Sequence, residues 1–157
     1  MKKTITTFLL LLTMTAWSGM AAYAQAHKAD DILGTWLNEE ATGKIQLYKE
    51  NGKYFGKLVW LKEPTDKVSG LPRTDKENPD AKLKTAPLIG MVNMKNFSFD
   101  GKEEWSGGTI YDPKNGKTYK CYIEFESPTK LKVRGYVGFS LLGRNTYWTK
   151  TTPPPQK

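Results

Sequence analysis

Apolar and polar residues alternate with a period of two through most of the chain beyond residue 30, and turn-forming residues break the alternation at short intervals. Successive side chains of a strand point to opposite faces, so this pattern predicts half-buried strands. Residues 32–38, 44–49, 53–62, 104–111, 117–126, 130–137 and 144–150 each read as one strand, and residues 87–94 with 97–100 as a short fourth strand or a strand pair. Asn51-Gly52 is a tight-hairpin signal, and Asp100-Gly101 and Asp112-Pro113-Lys114-Asn115-Gly116 turn the chain again. The outcome is an all-β fold of about eight antiparallel strands, a size at which a sheet closes on a small interior as a β-barrel. No stretch past residue 25 sustains an apolar 3.6-residue period, and Asn78-Pro79-Asp80-Ala81-Lys82-Leu83 offers one turn of helix at most.

Strand parity then predicts what faces inward. Tyr54, Leu58 and Trp60 share one face of the third strand, Tyr119, Cys121, Ile123 and Phe125 one face of the sixth, and Leu131 and Val133 one face of the seventh. Two outcomes fit this lining equally: the side chains fill the interior, or they surround a pocket for a small hydrophobic or amphipathic molecule. Under the second, Tyr54, Leu58, Trp60, Tyr119 and Phe125 are the candidate ligand-binding residues. Arg134 and Tyr136 have the opposite parity to Leu131 and Val133 and reach the mouth only if a bulge intervenes at Gly135. Gly107-Gly108 in mid-strand marks a bulge at a barrel corner or a close approach of another group to the backbone.

The ends of the chain carry different information. Lys2-Lys3, the apolar run of residues 5–16 and Ala22-Tyr23-Ala24 read as a secretory signal peptide over residues 1–24. This predicts a periplasmic or secreted protein, with no membrane-spanning segment after the signal and no cysteine at the cleavage site to carry a lipid. Residues 25–30 are expected to be a flexible lead-in, residues 31–150 the barrel domain, and residues 151–157, with Pro153-Pro154-Pro155, a disordered tail. Residues 63–86, rich in Pro, Lys and Asp, are too long for a hairpin. They are expected either to cover one barrel mouth or to be a plain surface excursion.

Composition narrows the chemistry. Twenty-four Lys and Arg face sixteen Asp and Glu, a formal charge of +8. The lysines are dispersed, which fits a solvated basic surface and, as the sharper alternative, attraction to an anionic envelope component. Nucleic acid is not an expected partner, since no basic recognition module is present. Cys121 is the single cysteine, so no internal disulfide forms, and its strand position predicts a buried, inert thiol. His27 is the single histidine and precedes the first strand, which argues against Ser-His-Asp or Cys-His catalysis. Asp75, Glu77, Asn78 and Asp80 cluster in the long loop, but Pro79 and the absence of a Gly-centred spacing break any calcium-loop match. No catalytic residue, metal ligand or cofactor is therefore assigned. Oligomeric state has no signature in the sequence.

Several motifs occur in order: Asp31-x-x-Gly34-x-Trp36, Tyr54-x-Gly56-Lys57-Leu58, Asp75-x-x-Asn78-Pro79, Leu88-Ile89-Gly90-Met91, the block from Trp105 through Gly107-Gly108 and Asp112-Pro113 to Tyr119, Leu131-x-Val133-Arg134-Gly135-Tyr136, and Gly143-Arg144-x-x-x-Trp148. Together they resemble the bacterial DUF2147 family, exported domains of unknown function with a lipocalin-like or calycin-like barrel. The resemblance implies a lipocalin-like closure of the eight strands and a stacking pair of Trp36 and Arg144 at one barrel end, as a cation–π contact. The family has no established activity, so binding of a small ligand inside the barrel is favoured over catalysis by the apolar strand faces that would line it. An envelope interaction through the basic surface or the 63–86 loop is the alternative.

Overall fold

The computed structural model describes residues 27–155. Eight strands follow one another: β1 (Gly34–Leu37), β2 (Gly43–Glu50), β3 (Lys53–Leu61), β4 (Val92–Phe99), β5 (Glu104–Asp112), β6 (Lys117–Ser127), β7 (Lys130–Tyr136) and β8 (Gly143–Thr151). Each pairs antiparallel with its neighbour, and β1 pairs with β8 through Trp36↔Lys150, so the sheet closes into a barrel with no free edge. The expected all-β, eight-stranded barrel is what forms. One 3₁₀ turn at Ala81–Leu83 is the helical content among the described residues.

The turns form for local reasons. Asn38 Oδ1 accepts from the backbone N–H of Thr42 at 2.8 Å and of Gly43 at 2.9 Å, closing the β1–β2 turn. Asp100 Oδ1 likewise gathers the N–H groups of Lys102, Glu103 and Glu104. The fourth strand is one strand: Asn96, at φ 66°, forms an irregularity within it, so that Tyr54 pairs with Phe97 while Gly56 pairs with Met94.

Up-and-down order places alternate connections at opposite ends. One end is solid. Trp36, Met94, Phe97 and Trp105 are fully buried there, and residues 27–33 fold across it. Ile32 is wholly buried, Trp36 Nε1 donates to the Ile32 carbonyl at 2.9 Å, and Trp105 Nε1 donates to the Ala29 carbonyl at 3.0 Å. His27 stacks on Phe125 at 4.1 Å, and Phe125 meets the edges of Trp36 and Trp105 at 6.0 and 5.7 Å. The described part of the expected flexible lead-in is therefore a plug. It is held because buried indole N–H groups need acceptors and the lead-in supplies them. The expected signal peptide lies outside the described residues.

Two glycines show how tightly the walls pack. A Cβ on Gly108 would stand 2.5 Å from the Phe97 ring, so the group that approaches the Gly107-Gly108 backbone is a core side chain. Gly116, at φ +69°, would place a Cβ 2.0 Å from the Glu77 carbonyl oxygen. Glu77 belongs to the long β3–β4 connection, which is thus seated on the β5–β6 turn. Asp75, buried to 2% exposure, fastens it: Tyr111 Oη donates to Oδ1 at 2.7 Å and Asn78 Nδ2 donates to Oδ2 at 2.6 Å. Burial, followed by the bond to the Asp75 carboxylate, raises the Tyr111 hydroxyl to about 12.

Candidate functional site

The other end of the barrel is hollow. A cavity of about 900 Å³ opens there, bounded by the ends of the strands and by the β1–β2, β5–β6 and β7–β8 turns. Its walls are apolar: Ile45 from β2, Leu58 and Leu61 from β3, Ile110 from β5, Val133 from β7 and Trp148 from β8. Asn93 and Thr146 add polar atoms to the wall, Tyr119 Oη accepts from Asn115 Nδ2 at 3.0 Å at the rim, and Asn93 Oδ1 is buried without a hydrogen-bond partner. At the mouth stand Glu39, Glu40, Asp112, Lys114, Asn115 and Arg144. Lys114 pairs with Glu40 and joins the β5–β6 turn to the β1–β2 turn. That hydrogen bond and charge, with Arg144 nearby, hold the Glu40 carboxyl below the usual carboxylate range. An apolar chamber under a charged rim suits an amphipathic molecule entering apolar end first.

The five candidate ligand residues separate in space. Leu58 and Tyr119 line the cavity. Tyr54 and Phe125 belong to the solid end: Tyr54 is buried, with its hydroxyl donating to Asp30 Oδ1 at 2.6 Å, and Phe125 lies within the aromatic plug. They share a strand face with Leu58 and Tyr119, but a barrel strand runs the full height of the interior, so one face serves both the plug and the cavity. Trp60 leaves the interior altogether. Ile45 pairs with Leu58 and Lys44 with Trp60, an irregularity that places the extra residue at Val59 and reverses parity beyond it. Leu61 thereby turns inward, and Trp60 lies outside under Lys44, whose Nζ is 5.6 Å from the ring centroid.

The expected stacking pair also separates. Trp36 lies in the solid end, and its cationic neighbour is Lys150, with Nζ 5.4 Å from the ring centroid. Arg144 opens β8 at the cavity mouth, paired with Gly135. Six residues of strand separate positions 144 and 150, roughly 20 Å at a strand's rise, so one arginine there cannot reach the plug.

Of the two courses expected for residues 63–86, a cover over the mouth and a surface excursion, the structure has the second. No residue of 62–91 lines the cavity, because Asp75 and Glu77 bind the loop to the outside of the β5–β6 hairpin. Two acidic residues of its cluster are likewise engaged, Asp75 with Tyr111 and Asn78, and Asp80 with the N–H of Lys82. The rim that sequence reasoning missed is the β7–β8 turn, where Val137, Leu141 and Leu142 line the mouth while standing mostly exposed. Its signal was present as an apolar run, Val137-Gly138-Phe139-Ser140-Leu141-Leu142, placed where a turn should be polar. Ile110 was legible only if Gly107 is the residue inserted by the bulge, since that insertion turns Gly108 and Ile110 to the face of Trp105. Cys121 is buried, and desolvation pushes its thiol well up. A thiol kept protonated in an apolar wall is a poor nucleophile.

An eight-stranded antiparallel barrel, plugged at one end by the segment before β1 and hollow at the other, is a lipocalin-like barrel. Within that class the chain belongs to the DUF2147 family, described as an uncharacterized protein conserved in bacteria, whose model matches residues 34–150. Protein HP1028 from the human pathogen Helicobacter pylori, which belongs to the lipocalin family, has a similar structure, with a TM-score of 0.67 and 21% sequence identity over 76% of this chain and 82% of that one. Comparison with curated protein sequences finds no match.

Proposed function

We propose that this chain is an exported binding protein that takes a small amphipathic molecule, apolar part inward, into the open end of its barrel. The observation that carries the reading is the contrast between the two ends. One is packed solid by four buried aromatic rings and the lead-in, whereas the other keeps about 900 Å³ open behind apolar walls. Native cores are close-packed, so an apolar hollow of that size is a feature to be explained, and it falls in the range of small-molecule sites. The charged rim of Glu40, Lys114 and Arg144 would meet a polar head group. The secretory pattern of residues 1–24 supports action in the periplasm or outside the cell.

The test is native mass spectrometry of residues 25–157, purified from a bacterial periplasm, before and after denaturing solvent extraction. A discrete added mass that extraction removes supports the reading. Titration with a fluorescent fatty acid then measures affinity, and a barrel that neither carries a ligand nor binds such probes argues against it.

A further inference from the structure

The large apolar side chains that stand exposed are unevenly distributed over the molecule. Among the described residues there are eight, with exposures of 44–98%, and all lie in two connections at the cavity end. Four belong to the β3–β4 connection, and the other four, Val137, Phe139, Leu141 and Leu142, form the tip of the β7–β8 turn. None lies at the plugged end. Such asymmetry marks an interaction surface, because isolated exposed apolar residues scatter over an ordinary surface.

Most carbonyls of the tip are hydrogen-bonded within it. Arg134, on the outer wall of β7, donates from Nε to the Ser140 carbonyl at 2.8 Å and from Nη2 to the Leu141 carbonyl at 3.3 Å, while Nη1 donates to Asn145 Oδ1 at 2.7 Å. The Phe139 carbonyl accepts from the Leu142 N–H at 3.0 Å, and the Leu142 carbonyl from the Val137 N–H at 3.4 Å. Four successive carbonyls are thus satisfied within the turn. Entry of the tip at the interface would leave none of these four without a donor, which lowers the penalty on irregular backbone in such a medium without removing it, since the N–H groups of residues 138–141 have no acceptor in the turn.

We infer that the cavity end docks on a phospholipid bilayer bearing anionic head groups, with the Val137–Leu142 tip inserted at the interface. The inference rests in part on the proposed amphiphile site, since docking would place the mouth where such molecules reside. A second protein is the poorer fit. Stable protein interfaces bury roughly 800 Å² on each partner, more than a single six-residue turn presents, whereas a bilayer accepts a narrow tip. Charge agrees with an anionic surface. Without Lys2 and Lys3 of the signal pattern, residues 25–157 carry 22 basic against 16 acidic residues, and Lys82 and Lys84, which flank exposed Leu83, and Arg144, beside the tip, form no ion pair among the described residues.

Cys121 is buried, so a second cysteine can be labelled selectively. Residues 25–157, which contain the whole closed barrel, are prepared as Phe139→Cys and, at the opposite end, Lys102→Cys, each carrying an environment-sensitive nitrobenzoxadiazole dye. Vesicles of phosphatidylethanolamine with phosphatidylglycerol should blue-shift the dye at position 139 and leave that at 102 unchanged. The pair Phe139→Ser and Leu141→Ser should lower vesicle affinity by about tenfold or more in sedimentation, since both side chains lose their burial. The proposal is overturned by an unchanged dye at 139 or by equal shifts at both sites. It is also overturned by a shift at 139 that grows with protein concentration without vesicles, which would assign the tip to a second copy of the chain. Binding of a fluorescent fatty acid in vesicle-free solution reads the cavity separately. Its loss with vesicle docking intact would defeat the cavity reading alone, and its retention without docking would defeat this one.

Discussion

Replacing Gly135 by leucine should occupy the cavity without unfolding the barrel. Gly135 pairs with Cys121 on β6 and Arg144 on β8, and it lines the cavity. Its backbone does not need glycine: no positive φ occurs there, and a Cβ would meet Ile110 Cγ2 and Tyr119 Cβ at 3.6 Å, ordinary van der Waals separation. The control is Gly135→Ala. Glycine inside a strand costs about 0.5–1 kcal/mol relative to alanine, so this variant should be more stable by that amount. For a domain of this size the gain corresponds to a rise of about 2–4 °C in Tm. Leucine extends the same Cβ into the hollow between Ile110 and Tyr119, where the proposed ligand would lie. A ligand excluded from that volume should lose at least about tenfold in affinity, about 1.4 kcal/mol, while Tm stays at or above that of the parent. Thermal melts and titration with a fluorescent fatty acid are read on the same samples. A Tm for Gly135→Leu more than about 5 °C below the parent would show that the space is not free. An affinity equal to the parent's would show that the probe binds elsewhere.

Other positions test the two ends and their fastenings. Trp36→Ala should destabilise by about 3–5 kcal/mol in denaturant melts, because a fully buried indole and its hydrogen bond to the Ile32 carbonyl are both lost. Arg144→Ala should leave stability within about 0.5 kcal/mol, since the side chain is exposed at the mouth and not stacked in the plug. Alkaline titration should weaken the barrel. Tyr111 is raised to about 12 and Tyr54 is raised as well, so their contribution is fully present below the ordinary tyrosine range and is lost as pH climbs through the folded values. Tyr111→Phe should flatten that dependence in melts between about pH 9 and 12 and speed proteolysis within residues 62–91, which lose their bond to the barrel. At the acid end, Asp30 is lowered chiefly by its hydrogen bond from Lys49, then by that from Tyr54, and Asp100 by backbone N–H groups. Their stabilisation is present above the ordinary aspartate range and is lost as pH falls below about 4, so Asp30→Asn should show a shallower acid transition.

Local chemistry determined the barrel. Period-two alternation, Asn51-Gly52, Asp100-Gly101 and the Asp112–Gly116 turn act over a few residues, and the strand boundaries drawn from them lie close to those in the structure except in β4, where residues 87–94 with 97–100 form the single strand Val92–Phe99. The buried state of Cys121 was legible for the same reason, because parity along an unbroken strand is a local property. What the sequence left undecided, a filled interior or a pocket, has an answer that divides the molecule lengthwise. Tyr54 and Leu58 share a strand face, yet one serves the plug and the other the cavity, and only the lead-in docked across one end makes the difference. An extra residue at Val59 reversed Trp60 and Leu61, since a bulge depends on how two strands register and not on either strand alone. Arg144 stands with the mouth and Lys150 with Trp36 because closure of β8 on β1 sets which end of the last strand each occupies. Alternation encodes which face a side chain takes; its height along the barrel, and so its part in plug, cavity or rim, is decided by closure and packing of the whole sheet.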